Sequence, residues 1–180
     1  MYRALFFLVL AITITSPVFC EQSPYTEFEQ REIKALSVQQ VADYRAGRGM
    51  GFALAAELNG YPGPKHVLEL SAELALSPNQ LNEISALFDS MQSAASALGE
   101  KIVLAEQDLD AAFANNSIST ASLEEKVLEI GKLNGALRSV HLEAHLETKS
   151  LLSPEQVEKY IVLRGYEHGH HSGMKHNHDK

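Results

Sequence analysis

The middle of the chain carries apolar and small side chains at intervals of three and four residues over about five heptads. The positions are Leu81, Ile84, Phe88, Met91, Ala95, Leu98, Ile102, Ala105, Leu109 and Ala112. Residues with this spacing lie on one face of an α-helix. The pattern therefore predicts a single helix over residues 78–114, with an apolar seam that packs against a partner helix.

A second segment with the same spacing follows a polar turn at residues 115–117. Ser119 or Thr120 can cap its first free amides. Its apolar positions are Leu123, Val127, Ile130, Leu137 and Ala144. We predict that it returns antiparallel to the first arm as a long helical hairpin. At about 1.5 Å per residue the first arm would extend about 55 Å, so a homodimer is predicted to cover it.

The pattern Leu-Ser-x-x-Gln occurs three times, beginning at Leu36, Leu76 and Leu152. The serine can accept from the first free amides of a helix, and the glutamine can reach back to the serine amide. Pro78 and Pro154 occupy a first helical position, where a missing N–H costs nothing. The three copies predict helices over about 38–46, 78–114 and 154–164. A further pair, 50–58 and 64–75, flanks the Gly- and Pro-rich turn at 59–64.

Composition supports an all-α fold in one domain. The chain has 180 residues, of which 45% are hydrophobic and 21% charged, with no tryptophan and only 7% aromatic residues. This bias disfavours a β-rich fold. The 15 basic and 23 acidic residues give a net charge of -8, which argues against a nucleic-acid partner.

The first twenty residues are typical of an export signal. Arg3 precedes the apolar run 4–12, which is shorter than the roughly 20 residues that a membrane helix needs. Cleavage after Cys20 would start the mature chain at Glu21; acylation of Cys20 is disfavoured because bulky Phe19 precedes it. We predict a periplasmic protein without stable membrane insertion, although an uncleaved anchor stays open. The mature chain would have 14 basic and 23 acidic residues, a net charge of -9, and no cysteine.

Residues 167–180 have no apolar periodicity and contain five histidines, so we predict a flexible, disordered tail after a helical domain at 21–166. The histidines are His168, His170, His171, His176 and His178. Their imidazoles can bind Zn²⁺, Ni²⁺, Cu²⁺ or Co²⁺ in many combinations. Because ordering a flexible chain costs entropy, we expect moderate affinity and loose selectivity. A purification tag is the alternative, but Gly, Ser, Met, Lys and Asn interrupt the run.

His141 and His145 lie four residues apart on the predicted return helix, so two imidazoles on one face could share one cation. In the alternative, His141 is a polar seam residue partnered with Asn134, and His145 lies on a solvated flank. Glu143 and Glu147 point elsewhere. A third ligand would have to come from another helix, and the candidates are His66, Glu69 and Glu57.

The remaining chemistry is sparse. Met50, Met91 and Met174 could bind soft copper, but Met91 belongs to the predicted seam, which indicates core packing. No nucleophile elbow, phosphate loop or recognisable pair of catalytic carboxylates is present in the sequence. We therefore expect that the protein is not an enzyme.

The three Leu-Ser-x-x-Gln copies, the long hairpin, the export signal and the His-rich end together resemble the periplasmic Spy/CpxP/ZraP superfamily, whose hallmark is Leu-Thr-x-x-Gln. Serine replaces threonine in every copy. Residues 45–64 and 151–160 are similar to the branch of periplasmic heavy-metal sensors related to CnrX. The resemblance extends over about residues 25–166 and implies an elongated four-helix hooked hairpin that dimerises.

The resemblance also implies metal or envelope-stress roles. CnrX-type sensors bind metal through two early histidines, a glutamate, and a later histidine and methionine four apart. His141 and His145 match only the later pair, with His145 in place of the methionine, and no histidine precedes His66. ZraP-type members carry His-rich ends that bind zinc, and the tail of this chain resembles those ends in composition. Spy-type members hold unfolded clients on a basic concave face, for which Arg45, Arg48 and Lys65 could form a local patch.

The sequence thus predicts a periplasmic protein that binds divalent transition metals in heavy-metal sensing or resistance and the envelope stress response. The alternative is an ATP-independent chaperone that holds unfolded proteins in a helical cradle. A signalling subunit that contacts a membrane sensor kinase or an anti-sigma factor is a third possibility, without an identifiable docking residue.

Overall fold

The computed structural model describes residues 23–166, and this part of the chain is all-helical. A short 3-10 helix, Thr26–Gln30, precedes six α-helices. They are α1 (Val38–Arg45), α2 (Leu54–Glu57), α3 (Pro64–Glu69), α4 (Pro78–Ala114), α5 (Thr120–Leu151) and α6 (Pro154–Leu163). The predicted all-α class and the long helical pair are confirmed. The predicted signal segment and the five tail histidines lie outside the described residues.

The two long helices begin where the sequence predicts. α4 has the predicted bounds, and α5 begins after Ser119, whose side chain accepts from the backbone N–H of Ser122. Asn116 adopts a left-handed backbone with φ of 54° in the reversal between them. Asparagine tolerates this conformation better than most residues, so the polar turn ends the first arm and directs the chain back along it.

The two helices near the central turn are shorter than predicted. α2 begins at Leu54 rather than near residue 50, because Met50 and Gly51 have positive φ values of 41° and 83°. α3 ends at Glu69, and the chain then turns until Ala75, where φ is 51°. Positive φ is incompatible with a continuing right-handed helix. Four of the six helices have eight residues or more. The hooked shape and the homodimer implied by the resemblance stay predictions.

All three Leu-Ser-x-x-Gln copies form the predicted capping boxes, at Ser37, Ser77 and Ser153. Two of the cap glutamines also bond each other. Gln80 donates to the side-chain oxygen of Gln156 at 2.8 Å and to the Leu151 carbonyl at 2.8 Å. The repeated motif therefore joins the starts of α4 and α6 in addition to capping them.

The predicted seam is only partly correct. Ile84, Ala95, Ile102, Leu137 and Ala144 are buried as expected. Leu81 and Val127 are exposed at 41% and 50%, and Met91 is only half-buried.

The buried residues differ from the predicted seam because α4 packs against α1 and α3 as well as α5. The buried face of α4 is therefore not the single stripe that one partner helix would cover. Gly99 and Val103 are buried on the side that meets α1 and the N-terminal segment. A Cβ at residue 99 would overlap the backbone carbonyl of Tyr44, which explains the glycine there.

None of the helices within residues 23–166 combines the length and the apolar composition that crossing a bilayer requires.

Candidate metal centre

A cavity of about 540 Å³ opens between the loop at 46–51 and helices α2 to α5. Six of its lining side chains carry a carboxylate, an imidazole or a thioether that a transition-metal ion could use. They are Met50, Glu57, His66, Met91, His141 and His145. The structure therefore brings the predicted His pair into one cavity with two of the three candidate third ligands, Glu57 and His66, while Glu69 lies outside the lining.

The imidazole of His145 has one nitrogen committed to the backbone. Its Nδ1 lies 2.7 Å from the Tyr61 carbonyl oxygen and 3.7 Å from a Glu57 carboxylate oxygen. Because a carbonyl oxygen can only accept, Nδ1 carries the proton and donates. The lone pair is then on Nε2, the arrangement in which histidine ligands of metals are usually held.

Gly63 fixes the position of the same ring. A Cβ at this residue would lie 2.8 Å from Cε1 and 2.9 Å from Nε2 of His145. Real Cβ atoms do not approach ring atoms so closely, so only glycine lets the backbone before α3 pass this imidazole. The Gly- and Pro-rich turn therefore positions the ring as well as reversing the chain.

His141 lies one turn earlier on α5 and is only 3% exposed. Its ring stacks on Phe52, with centroids 6.2 Å apart and planes 12° from parallel. Its Nε2 is buried without a hydrogen-bond partner among the described residues. Leaving such a group unsatisfied costs about 1–3 kcal/mol. A bound metal ion would satisfy it.

Burial lowers the pKa of His141, and the nearby imidazole of His145 lowers it further. Protons compete with metal ions for an imidazole lone pair, so a lowered pKa favours the neutral form that binds metal. His141 is therefore poised as a neutral nitrogen donor.

The alternative interpretation is correct that His141 is a buried polar residue of α5, but it is wrong about the partner of His141 and about the position of His145. Asn134 does not bond His141: its side-chain oxygen accepts from the Tyr44 hydroxyl at 3.1 Å, and its amide donates to the Ile130 carbonyl. His145 is only 9% exposed and does not lie on a solvated flank, because the 59–64 turn covers it.

Glu57 is buried and shared among several donors. One carboxylate oxygen accepts from the hydroxyls of Tyr160 at 2.6 Å and Tyr166 at 2.9 Å. The other accepts from the Gly63 amide at 3.2 Å. The Arg164 guanidinium lies 3.5 Å from the first oxygen and supplies a compensating charge. Burial and the bond to Glu57 raise the pKa of Tyr160 far above its usual value, which keeps its hydroxyl protonated.

The third-ligand candidates are not assembled around the His pair. His66 bonds Glu69 through Nδ1 at 2.9 Å. Within residues 23–166, no three His, Cys, Asp or Glu side chains are close enough together to hold one metal ion. The carboxylates of Glu143 and Glu147 are exposed, in agreement with the prediction that they point elsewhere.

The three basic residues suggested for a client-binding patch each have an acidic neighbour. Arg45 bonds Glu100 at 2.9 Å, Arg48 bonds Asp43 at 2.6 Å, and Lys65 lies 3.9 Å from Glu69. Their charges are thus locally balanced.

Sequence reasoning missed the partners of the site. Phe52 stacks on His141, and the Tyr61 carbonyl contacts His145. Tyr160 and Tyr166 donate to Glu57. The residues joined by these three polar contacts are 84 to 109 positions apart in the sequence. No spacing rule connects residues so distant along the chain. Gly63 carried a weak signal, since a glycine between two prolines indicates a close backbone approach.

Three comparisons, with protein-family models, curated proteins and solved structures, give no match to this chain. Membership of the Spy/CpxP/ZraP superfamily therefore stays a prediction from its motifs.

Proposed function

We propose that this protein binds a transition-metal ion through Nε2 of His141 and Nε2 of His145, as part of heavy-metal sensing or resistance in the periplasm. The observation that carries the proposal is the buried, unpartnered Nε2 of His141, a residue that lines one cavity together with a second histidine. Two nitrogens fixed on adjacent turns of a helix need less ordering than ligands on a flexible chain.

The surroundings of the pair support this proposal. The Tyr61 carbonyl holds His145 in the tautomer that leaves Nε2 free, and burial favours neutral His141. Zn²⁺, Ni²⁺, Co²⁺ and Cu²⁺ all accept imidazole nitrogen. The five tail histidines would form a second, weaker store, because their ligand sets must be ordered on binding.

Calorimetric titration in a weakly coordinating buffer at neutral pH tests the proposal. We expect at least one site that is tighter than the rest in the isolated protein, and its loss in the double variant His141→Ala, His145→Ala. The matched control, His176→Ala with His178→Ala, removes the same number of imidazoles from the tail and should keep the tight site.

Two outcomes would contradict the assignment. One is an unchanged tight site in the His141, His145 variant, with circular dichroism showing the helices intact. The other is a protein that neither binds nor is stabilised by any of the four ions. Saturation at 100 times the dissociation constant should otherwise add about 2.7 kcal/mol to the free energy of unfolding.

A second candidate, ATP-independent holding of unfolded proteins, has one supporting observation. Apolar side chains are exposed toward the far end of the hairpin, which we call the distal apolar residues. They are Leu104, Phe113, Val127 and Leu128. If they hold clients, the protein should suppress aggregation of a reduced client without metal, and Leu104→Ser with Leu128→Ser should weaken that suppression. No suppression at several-fold excess would exclude this function.

The same residues support the predicted homodimer, which would cover them with a second copy. Sedimentation velocity of the isolated protein distinguishes the two roles. If a second copy buries these residues, the protein should sediment as a dimer, and the variant with Leu104→Ser and Leu128→Ser should sediment as a monomer.

A further inference from the structure

Two methionines line the same cavity as the His pair. Met50 enters from the loop at 46–51, and Met91 enters from α4. The sequence pattern assigned Met91 to core packing, but it is half-buried and belongs to none of the buried clusters of the described residues. Thioether and imidazole side chains from separate elements therefore line one cavity.

Met50 has an unusual backbone for its residue type. Its φ of 41° lies in the left-handed region, between Gly49 and Gly51. Strained conformations of residues other than glycine persist where the surrounding structure requires them, and they cluster at functional sites. A glycine would be the easier choice at this position, so the side chain of Met50 is the feature that the loop presents.

The carboxylate in the cavity is largely occupied. Glu57 already accepts from two tyrosine hydroxyls and one backbone amide, and the guanidinium of Arg164 lies beside it. The donors left for an ion are therefore neutral. Because the cost of burying an ion rises with the square of its charge, a monovalent ion pays about a quarter of the desolvation cost of a divalent ion of equal size.

The absence of a triad within residues 23–166 favours the same conclusion. Zn²⁺ in proteins usually takes three or four His, Cys, Asp or Glu ligands, whereas the His pair alone supplies two, so Zn²⁺ bound here would complete its coordination with water. Thioether sulfur is a soft ligand that selects Cu(I).

We infer that this cavity takes a soft monovalent ion, Cu(I) or its analogue Ag⁺, with Met50 and Met91 as sulfur ligands beside His141 and His145. The inference rests on the proposed function and names the class of ion that this site selects. No electron transfer is involved, since the ion binds in the oxidation state in which it arrives.

Methionine-methyl NMR tests the inference on the isolated protein labelled with ¹³C at the methionine methyl groups. Ag⁺ serves as the redox-inert probe, and Zn²⁺ is added to a second sample. We expect one equivalent of Ag⁺ to shift the methyl signals of Met50 and Met91, and one equivalent of Zn²⁺ to leave both in place. Met174 in the tail is an internal reference, and single Met→Leu variants assign the signals.

Affinity gives a second readout. Met50→Leu with Met91→Leu conserves side-chain volume, so the fold should be retained. The double variant should lose about tenfold or more in Ag⁺ affinity. Its Zn²⁺ affinity should stay the same.

The inference is overturned if Ag⁺ leaves both cavity methyls unmoved or shifts Met174 alone. Imidazole signals separate that failure from failure of the proposed function. If Zn²⁺ shifts His141 and His145 while the cavity methyls ignore Ag⁺, the metal site stands and the soft-ion preference is wrong. If neither ion shifts either imidazole, the proposed function fails too.

Discussion

The two ends of the α4–α5 hairpin are built differently. At the site end, α2 and α3 cover α5, and buried polar groups such as Glu57, His141 and Thr148 lie among them. At the distal end, residues 104–136 are half-buried or exposed, including the ion pair between Lys126 and Asp108. Apolar side chains as large as Phe113 and Leu128 face solvent there, at 53% and 65% exposure.

The difference shows where this fold concentrates stability and chemistry. Removing a buried, hydrogen-bonded carboxylate or imidazole lowers the free energy of unfolding strongly, because its partners are left unsatisfied. An exposed ion pair contributes little to that free energy. A single mutation should therefore have a large effect at the site end and a small one at the distal end. Matched substitutions in the two regions test this difference.

The largest contrast concerns two acidic residues. Glu57→Ala should lower the free energy of unfolding by about 3–5 kcal/mol, because it leaves Arg164 and two tyrosine hydroxyls without their acceptor. Asp108→Ala removes only an exposed partner of Lys126 and should cost about 0–1 kcal/mol. Urea unfolding measures both, and equal costs would show that the network around Glu57 is not a main source of stability.

Two leucines give the next contrast. Leu137 is 1% exposed and packs with Ala95 and Ile102, so Leu137→Ala should cost about 2–5 kcal/mol. Leu128→Ala should change the free energy of unfolding by less than about 0.5 kcal/mol in the monomer. A much larger cost at Leu128 that grows with protein concentration would instead indicate that a second copy covers it.

Two glycines should give effects of opposite sign. Gly63→Ala forces a Cβ against His145 and should cost about 1–3 kcal/mol. It should also weaken metal binding at the His pair. Gly131→Ala, in the exposed part of α5, meets no atom within 4 Å and should stabilise the helix by about 1 kcal/mol. Thermal melts without metal and with Zn²⁺ or Ag⁺ in separate samples measure both changes, and a Gly63→Ala protein with unaltered affinity for both ions would refute the positioning role of the turn.

The smallest effect is expected at Glu106, a half-buried carboxyl on α4. Burial raises its pKa above 4.5, so the folded state holds this proton more tightly than the unfolded state does. Its stabilising contribution is present at low pH and is lost as pH rises through the folded-state pKa. Glu106→Gln should therefore raise the free energy of unfolding at pH 7 by less than about 0.5 kcal/mol. The gain should vanish below the unfolded pKa, and a gain that persists at pH 3 would contradict this explanation.

Local chemistry determines how much of this structure the sequence predicts. Serine caps, prolines at first helical positions and the asparagine turn act within four residues, so the bounds of α4 are predictable. Met50 and Ala75 depart from helical geometry because of the chain around them, and the predicted helices near them are too long.

The candidate site also combines features that local sequence predicts with features that only the tertiary structure determines. Spacing along one helix predicts the pair His141 and His145. The tertiary arrangement brings the Tyr61 carbonyl and the buried Glu57 to that pair, and it places Met91 in the lining of the same cavity. No periodicity in the sequence records these neighbours.

The central claim is that His141 and His145 bind a metal ion through Nε2. Long-range ¹H–¹⁵N correlation spectra of the imidazoles, recorded with one equivalent of Zn²⁺ or Ag⁺ in separate samples, test it most directly. We predict that at least one of the two ions shifts Nε2 of both histidines together, with Nδ1 of His145 still protonated. Spectra in which only tail imidazoles respond, while both Nε2 signals stay at their metal-free positions, would contradict the claim.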